Sequence, residues 1–170
     1  HWLSDKIEGG EIFPVGGSYP GVLDIYVNID CKSLQPFFET VAQNQQILLK
    51  NTPLTKWYSK IKTDFDYSLF CQMYAFNATM KTMFPNATKN VARKTDFYRG
   101  EGKKSLSEAV AENMCACNEY SILAQLYFQG QNIPTRFVGG ELVSNGDFDD
   151  FEAHSFIVFQ KDGKEYVYDP

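Results

Sequence analysis

Histidine is the scarcest reactive residue of this chain: there are two among 170 residues, and one of them is His1. Imidazole chemistry away from the N-terminus must therefore use His154. Cysteine is little commoner, at four: Cys31, Cys71, Cys115 and Cys117. So few, so unevenly spaced, exclude a disulfide-stapled scaffold; a single Cys31–Cys71 bridge stays open. Lys and Arg (16) are outnumbered by Asp and Glu (21), a formal net charge of -5. That argues against nucleic acid as the main partner, since phosphate binding needs a basic face. No apolar run is long enough to span a bilayer. There is no initiator Met, so the chain reads as a fragment or processed product, with cytoplasmic and secreted locations both open. The Gly- and Pro-rich opening contains no Gly-x4-Gly frame followed by Lys-Ser/Thr, which excludes a phosphate loop. Internal repeats and low-complexity tracts are also missing.

What is present supports a core: 44% hydrophobic and 15% aromatic residues. The length is that of a single domain, with room for a small subdomain. We read residues 1–170 as one domain, with 1–21 an irregular lead-in and 105–170 the segment that carries the chemistry. Ile25, Val27 and Ile29 alternate with Tyr26, Asn28 and Asp30, the period of a strand. Ser33 is placed to cap a helix with Leu34, Phe37, Phe38, Val41 and Leu48 on one side. Thr52-Pro53 reads as a cap and first helical position for Leu54, Trp57, Tyr58 and Ile61. A third helix carries Phe65, Leu69, Phe70, Met73, Phe76, Met80 and Met83 and stops at Pro85; such a stripe is core rather than a cofactor box. Residues 86–104 are polar and basic with Gly100 and Gly102, and read as a loop or lid. Two sequons, at Asn77 and Asn86, matter only in a glycosylating pathway, and chance occurrence is the reading taken. Residues 144–152 form an acidic loop without the ligand spacing of a calcium site.

The informative stretch begins with Ser105-Leu106-Ser107-Glu108, a capping-box pattern. Cys115-Ala116-Cys117-Asn118-Glu119-Tyr120-Ser121 follows, then an apolar helical run to Gly130, then Ile133-Pro134-Thr135-Arg136 and a strand through Val143. Cys117 thus opens a helix. Unpaired N–H groups and the positive end of the macrodipole there favour the thiolate; the bland alternative is a small core cysteine.

Cys117-Asn118-Glu119-Tyr120-Ser121, Ile133-Pro134-Thr135-Arg136, His154-Ser155-Phe156 and Tyr168-Asp169-Pro170 together resemble the transglutaminase-like cysteine superfamily. The likeness covers about the last third of the chain in several spaced motifs. Cys115 and Asn132 depart from it, each standing where the family has Gly; Asn tolerates the left-handed conformation nearly as well. The resemblance implies an α+β, papain/transglutaminase-like fold. In it a helical N-terminal half packs on an antiparallel sheet, and the nucleophile cysteine sits at a helix N-terminus. It also implies a Cys117, His154, Asp169 triad, no cofactor or metal, and a protein or peptide substrate; oligomeric state is left open.

The last hairpin offers a separate argument for the triad. Asp162-Gly163 is a strong signal for a two-residue turn. With that turn Lys161 opposes Lys164, Phe159 opposes Tyr166 and Phe156 opposes Asp169. His154 shares the face of Phe156, so His154 and Asp169 become diagonal neighbours. A three-residue turn would put them on opposite faces. Cys117 would then attack an amide carbonyl, His154 would manage the proton, and Asp169 would fix its tautomer. The Cys117 N–H is a natural oxyanion donor, with Trp57, Tyr98 and Gln43 to Gln46 as candidates for a second. Hydrolysis, by a peptidase or glutamine deamidase, is the expected outcome; transamidation uses the same triad. The rivals are a metal site of Cys115, Cys117 and His154, which lacks a convincing fourth ligand, and a non-catalytic module that keeps the fold.

Overall fold

The computed structural model describes residues 2–4, 6–14, 24–28, 32–61, 66–85, 91–99, 104–143 and 151–170. They form two compact units, Lys32–Pro85 and the remainder, His1–Cys31 with Asn86–Pro170. The first is a subdomain of the kind the length allows.

Lys32–Pro85 is helical: α1 (Gln35–Leu49), α2 (Thr52–Tyr58) and α3 (Tyr67–Met83). Phe37 and Val41 of α1, and Leu69, Ala75, Phe76 and Met80 of α3, are buried, and the Phe37 and Phe76 rings meet edge-on at 5.5 Å. The helical stripe is therefore core at Leu69, Phe76 and Met80. Phe70 instead joins a ring cluster with Trp57, Tyr58, Tyr67 and Tyr74. Two expected caps are displaced. Leu34, not Ser33, occupies the N-cap of α1 and makes no side-chain bond. Asn51, not Thr52, caps α2, its Oδ1 accepting the Leu54 N–H at 2.8 Å; Asn outranks Thr as a cap, and Pro53 is accommodated one position further in. Asn77 lies inside α3, with Thr79 of its sequon buried and donating to the Ala75 carbonyl at 2.8 Å.

The second unit is mixed α/β. Its main sheet is antiparallel, in the order β1 (Trp2–Ser4), β5 (Thr135–Val143), β6 (Phe151–Lys161), β7 (Lys164–Tyr168). A smaller sheet holds β2 (Ile12–Pro14), β3 (Asp24–Tyr26) and β4 (Lys104–Ser105), antiparallel between β2 and β3 and parallel between β3 and β4. Residues 1–21 are thus not wholly irregular: two three-residue strands lie there, too short to show a period and formed by pairing with β5 and β3. Ile25 and Val27 are buried, with Tyr26 exposed between them, the alternation expected of them. Three helices complete the unit: α4 (Val91–Arg99), α5 (Leu106–Ala111) and α6 (Cys117–Gly130). The presence of α4 corrects the reading of 86–104 as loop or lid. The acidic residues 144–150, Cys31 and the Asn86 sequon lie outside the described residues.

Helix α6 is packed on the main sheet. Phe128 stacks on Phe159 at 5.8 Å and meets Tyr168 edge-on at 5.7 Å. Ser155, Ile157 and Phe159 of β6, and Phe137 of β5, are buried at odd positions, as the two-residue period of a strand requires. At its C-terminus α6 closes in a Schellman motif: Ile133 N donates to Phe128 O and Asn132 N to Gln129 O, both at 3.0 Å. Asn132 takes the left-handed conformation there, φ 58°. Among the described residues no helix is long and apolar enough to cross a membrane.

Candidate active site

Cys117 is the first residue of α6, and its setting is built by local capping. Ser105 and Glu108 form the expected box at the start of α5: Ser105 Oγ accepts Glu108 N at 3.2 Å and Glu108 Oε2 accepts Ser105 N at 2.8 Å. The chain reverses through Asn113, φ 56°, with Met114 N bonded to Ala109 O at 2.8 Å. Ala116 is extended, and Tyr120 N returns to its carbonyl at 2.9 Å, the first turn of α6. Ala116 has no side chain to cap with. Glu119, the third helical residue, supplies the carboxylate half of a capping box instead, its Oε2 accepting Ala116 N at 2.8 Å. The Cys117 N–H, at the first helical position, has no intrahelical acceptor.

Glu119 is fully buried, yet amply partnered. Its Oε2 also accepts from Lys94 Nζ at 2.7 Å, and its Oε1 from the Tyr98 hydroxyl at 2.6 Å. Lys94 and Tyr98 stand four apart on α4, the spacing that puts two side chains on one helix face. Burial and the Glu119 carboxylate push the Tyr98 hydroxyl far above its usual range, so it remains a donor at every relevant pH. Tyr98, one of the candidates for a second oxyanion donor, is thus committed to Glu119. Trp57 and Gln43 to Gln46, the other candidates, belong to the helical unit. Lys94 was not anticipated. The available signal was Glu119 itself: an acid on the buried face of a helix must find a cationic or donor partner.

The two neighbouring thiols are physically distinct. Cys115 is buried, and burial, then the Glu119 charge, push its thiol well above the ordinary range, with Lys94 opposing. Cys117 is partly exposed, and its Sγ donates to Asn118 Oδ1 at 3.3 Å. Cys71 is a free, buried thiol raised by desolvation. Among the described residues no group of three or more His, Cys, Asp and Glu side chains could hold a metal ion.

Histidine 154 and Asp169 meet. His154 Nε2 lies 2.8 Å from Asp169 Oδ2. The cause is the hairpin: Asp162 (φ 52°) and Gly163 (φ 74°) form a two-residue turn with both φ positive. Lys161 pairs with Lys164, Phe159 with Tyr166 and Ile157 with Tyr168, the register derived from sequence. On the other flank of His154 stands Gly140, which presents no side chain. With Nε2 occupied by the carboxylate, Nδ1 is the ring nitrogen left for another partner.

Cys117 is not bonded to this pair. Ser121 of α6 and Ser155 of β6 are joined, Oγ to Oγ, at 3.3 Å, while further along Phe128 stacks on Phe159. Helix and strand therefore run in the same direction. Cys117 is one turn, about 5.4 Å, before Ser121, and each strand residue spans about 3.3 Å, so Cys117 lies level with residues 153 and 154. His154 alternates with Ser155, however, and its side chain leaves the sheet on the face opposite α6. No hydrogen bond joins Cys117 to His154; the thiol is turned to Asn118. In comparison with known proteins, no family model and no curated protein matches this chain.

Proposed function

We propose that this protein performs cysteine-dependent acyl transfer on amide bonds, in the manner of the transglutaminase-like superfamily that its motifs resemble. The observation that carries the reading is the His154 Nε2–Asp169 Oδ2 contact of 2.8 Å. Asp169 accepts the Nε2–H and so favours the tautomer whose Nδ1 lone pair is open to take a proton. The Cys117 thiol passes its proton to that nitrogen, and the sulfur attacks the amide carbonyl carbon. The oxyanion forms against the Cys117 N–H at the start of α6. His154 then protonates the departing amine, leaving an acyl-cysteine thioester. Because His154 leaves the sheet on the face opposite α6, the step requires Sγ to leave Asn118 Oδ1 and a rearrangement that brings the start of α6 and the ring to the same side; catalytic geometry commonly forms only when substrate is bound.

The acceptor defines the reaction. Water needs no site of its own, so hydrolysis, by a peptidase or glutamine deamidase, is the reading taken; a lysine amine would make the same thioester a crosslink. The test is mass spectrometry of protein substrates incubated with the protein and with C117A. A gain of about one mass unit on Gln means deamidation, ammonia loss with crosslinking means transamidation, and new termini mean proteolysis. Identical products from C117A and the parent would refute the reading and leave a non-catalytic module.

A further inference from the structure

Glu119 poses an electrostatic problem. The start of α6 uses its carboxylate to hold Ala116 N, yet an uncompensated buried negative charge repels any second negative charge formed near the helix start. In a dry setting this opposition is poorly screened. The structure contains an answer from another element: Lys94 Nζ, on α4, lies 2.7 Å from Glu119 Oε2, with side-chain exposures of 10% and 0%.

We propose that Lys94 is a positioning and charge-setting residue for Cys117, neutralising the buried cap carboxylate of Glu119 so that the helix start keeps its geometry without suppressing the thiolate. This rests on the reading of Cys117 as a nucleophile and extends it to α4. Lys94 and Glu119 touch neither the sulfur nor a substrate; they act through the helix terminus. Tyr98, donating to the second oxygen at 2.6 Å, and Ala116 N, donating to the first at 2.8 Å, complete the partners of the carboxylate. The titratable and charged groups that bear on the start of α6 are Lys94 and Tyr98 from α4, Cys115 from the preceding turn, and Glu119 and Tyr120 from α6 itself. Of these, Lys94 and Glu119 form the buried ion pair, so removing either member has an effect of predictable sign.

The test measures the pH dependence of iodoacetamide alkylation at Cys117 by peptide mapping of the whole protein, which needs no substrate. In K94Q an uncompensated negative charge remains, and the alkylation midpoint should move up by about one pH unit, tenfold less thiolate at a given pH. In E119Q an uncompensated positive charge remains, and the midpoint should move down. K94R should restore the parent midpoint. Loss of packing alone cannot move the two single variants in opposite directions. Cys71 and Cys115, both buried, label rapidly only on unfolding, so the same digest reports whether each variant is folded. Should K94Q be unfolded, the sign of the E119Q shift decides alone. Midpoints that stay put, or shift the same way in both variants, overturn the proposal. Opposite shifts without acyl-transfer products would leave it standing and remove the enzymatic reading instead.

Discussion

Brief alkylation of the native protein at neutral pH, with reagent limiting, should modify Cys117 far ahead of Cys115 and Cys71. Cys117 is partly exposed, whereas Cys115 retains 1% of its surface and Cys71 none. A buried thiol reacts only when the structure opens around it. If that opening costs about 5 kcal/mol, the lower end of domain stability, the open fraction is between roughly 1 in 1,000 and 1 in 10,000. Cys115 is further handicapped because burial and the Glu119 carboxylate push its thiol well above the ordinary range, which lowers the reactive thiolate fraction even in the open form. The selectivity of Cys117 over Cys115 should therefore be at least about a thousandfold. Digestion and mass spectrometry of the time course read it directly, and denaturant should collapse it. C115A should leave the Cys117 rate unaltered. A native rate for Cys115 within tenfold of that for Cys117 would refute the assignment of nucleophile and the burial on which it rests.

Asp169→Asn should cost less than about 1 kcal/mol in denaturation, because the His154 and Asp169 side chains are 27% and 53% exposed. Product formation should still fall by up to about 10⁴-fold, since the amide can present NH₂ to Nε2 and impose the wrong tautomer; near-parent rates would show that another group orients the ring. Phe128→Ala should lower stability by about 3–5 kcal/mol in urea titration, as a fully buried ring between Phe159 and Tyr168 is lost; a loss under about 1 kcal/mol would contradict the packing of α6 on the sheet. Asn132→Gly should raise thermal stability slightly, by at most about 1 kcal/mol, because Asn132 sits at φ 58° in the Schellman position; a lowered Tm would mean that its side chain holds something the turn needs.

The His154–Asp169 contact was legible because it depends on counting alone. A two-residue Asp162-Gly163 turn and the two-residue strand period fix which side chains share a face. The cap at Ser105 and the left-handed Asn132 were legible for similar reasons, each being a local rule satisfied by local residues. Helix α4 was not, because hydrophobic periodicity cannot find it. Its described buried positions are Lys94 and Tyr98, whose polar ends are spent on Glu119, a residue 25 positions from Lys94. Strands β1 and β2 were missed because three residues show no period and their pairing partners are distant in sequence. Whether the Cys117 sulfur would face the His154 ring was beyond sequence reasoning too: register places His154 on a strand face, but the approach of α6 to that strand is a matter of tertiary packing.

Of the two polar constellations, one at the start of α6 and one on the last hairpin, neither is what stability alone would place there. The His154–Asp169 pair is half-exposed, so its contribution to folding is small, and the hairpin would close as well with other residues at those positions. The Lys94–Glu119 pair is buried, where desolvation offsets much of the attraction and apolar residues of similar volume would often do as well or better. Departures from the packing rules that cluster in one place are expected at functional sites. Here the buried Lys94–Glu119 pair holds the start of the helix that a partly exposed cysteine opens, while burial pushes the thiol of Cys115, two residues away, well above its ordinary range. That contrast between two thiols, more than any motif, is the physical ground for proposing Cys117 rather than Cys115 as the nucleophile.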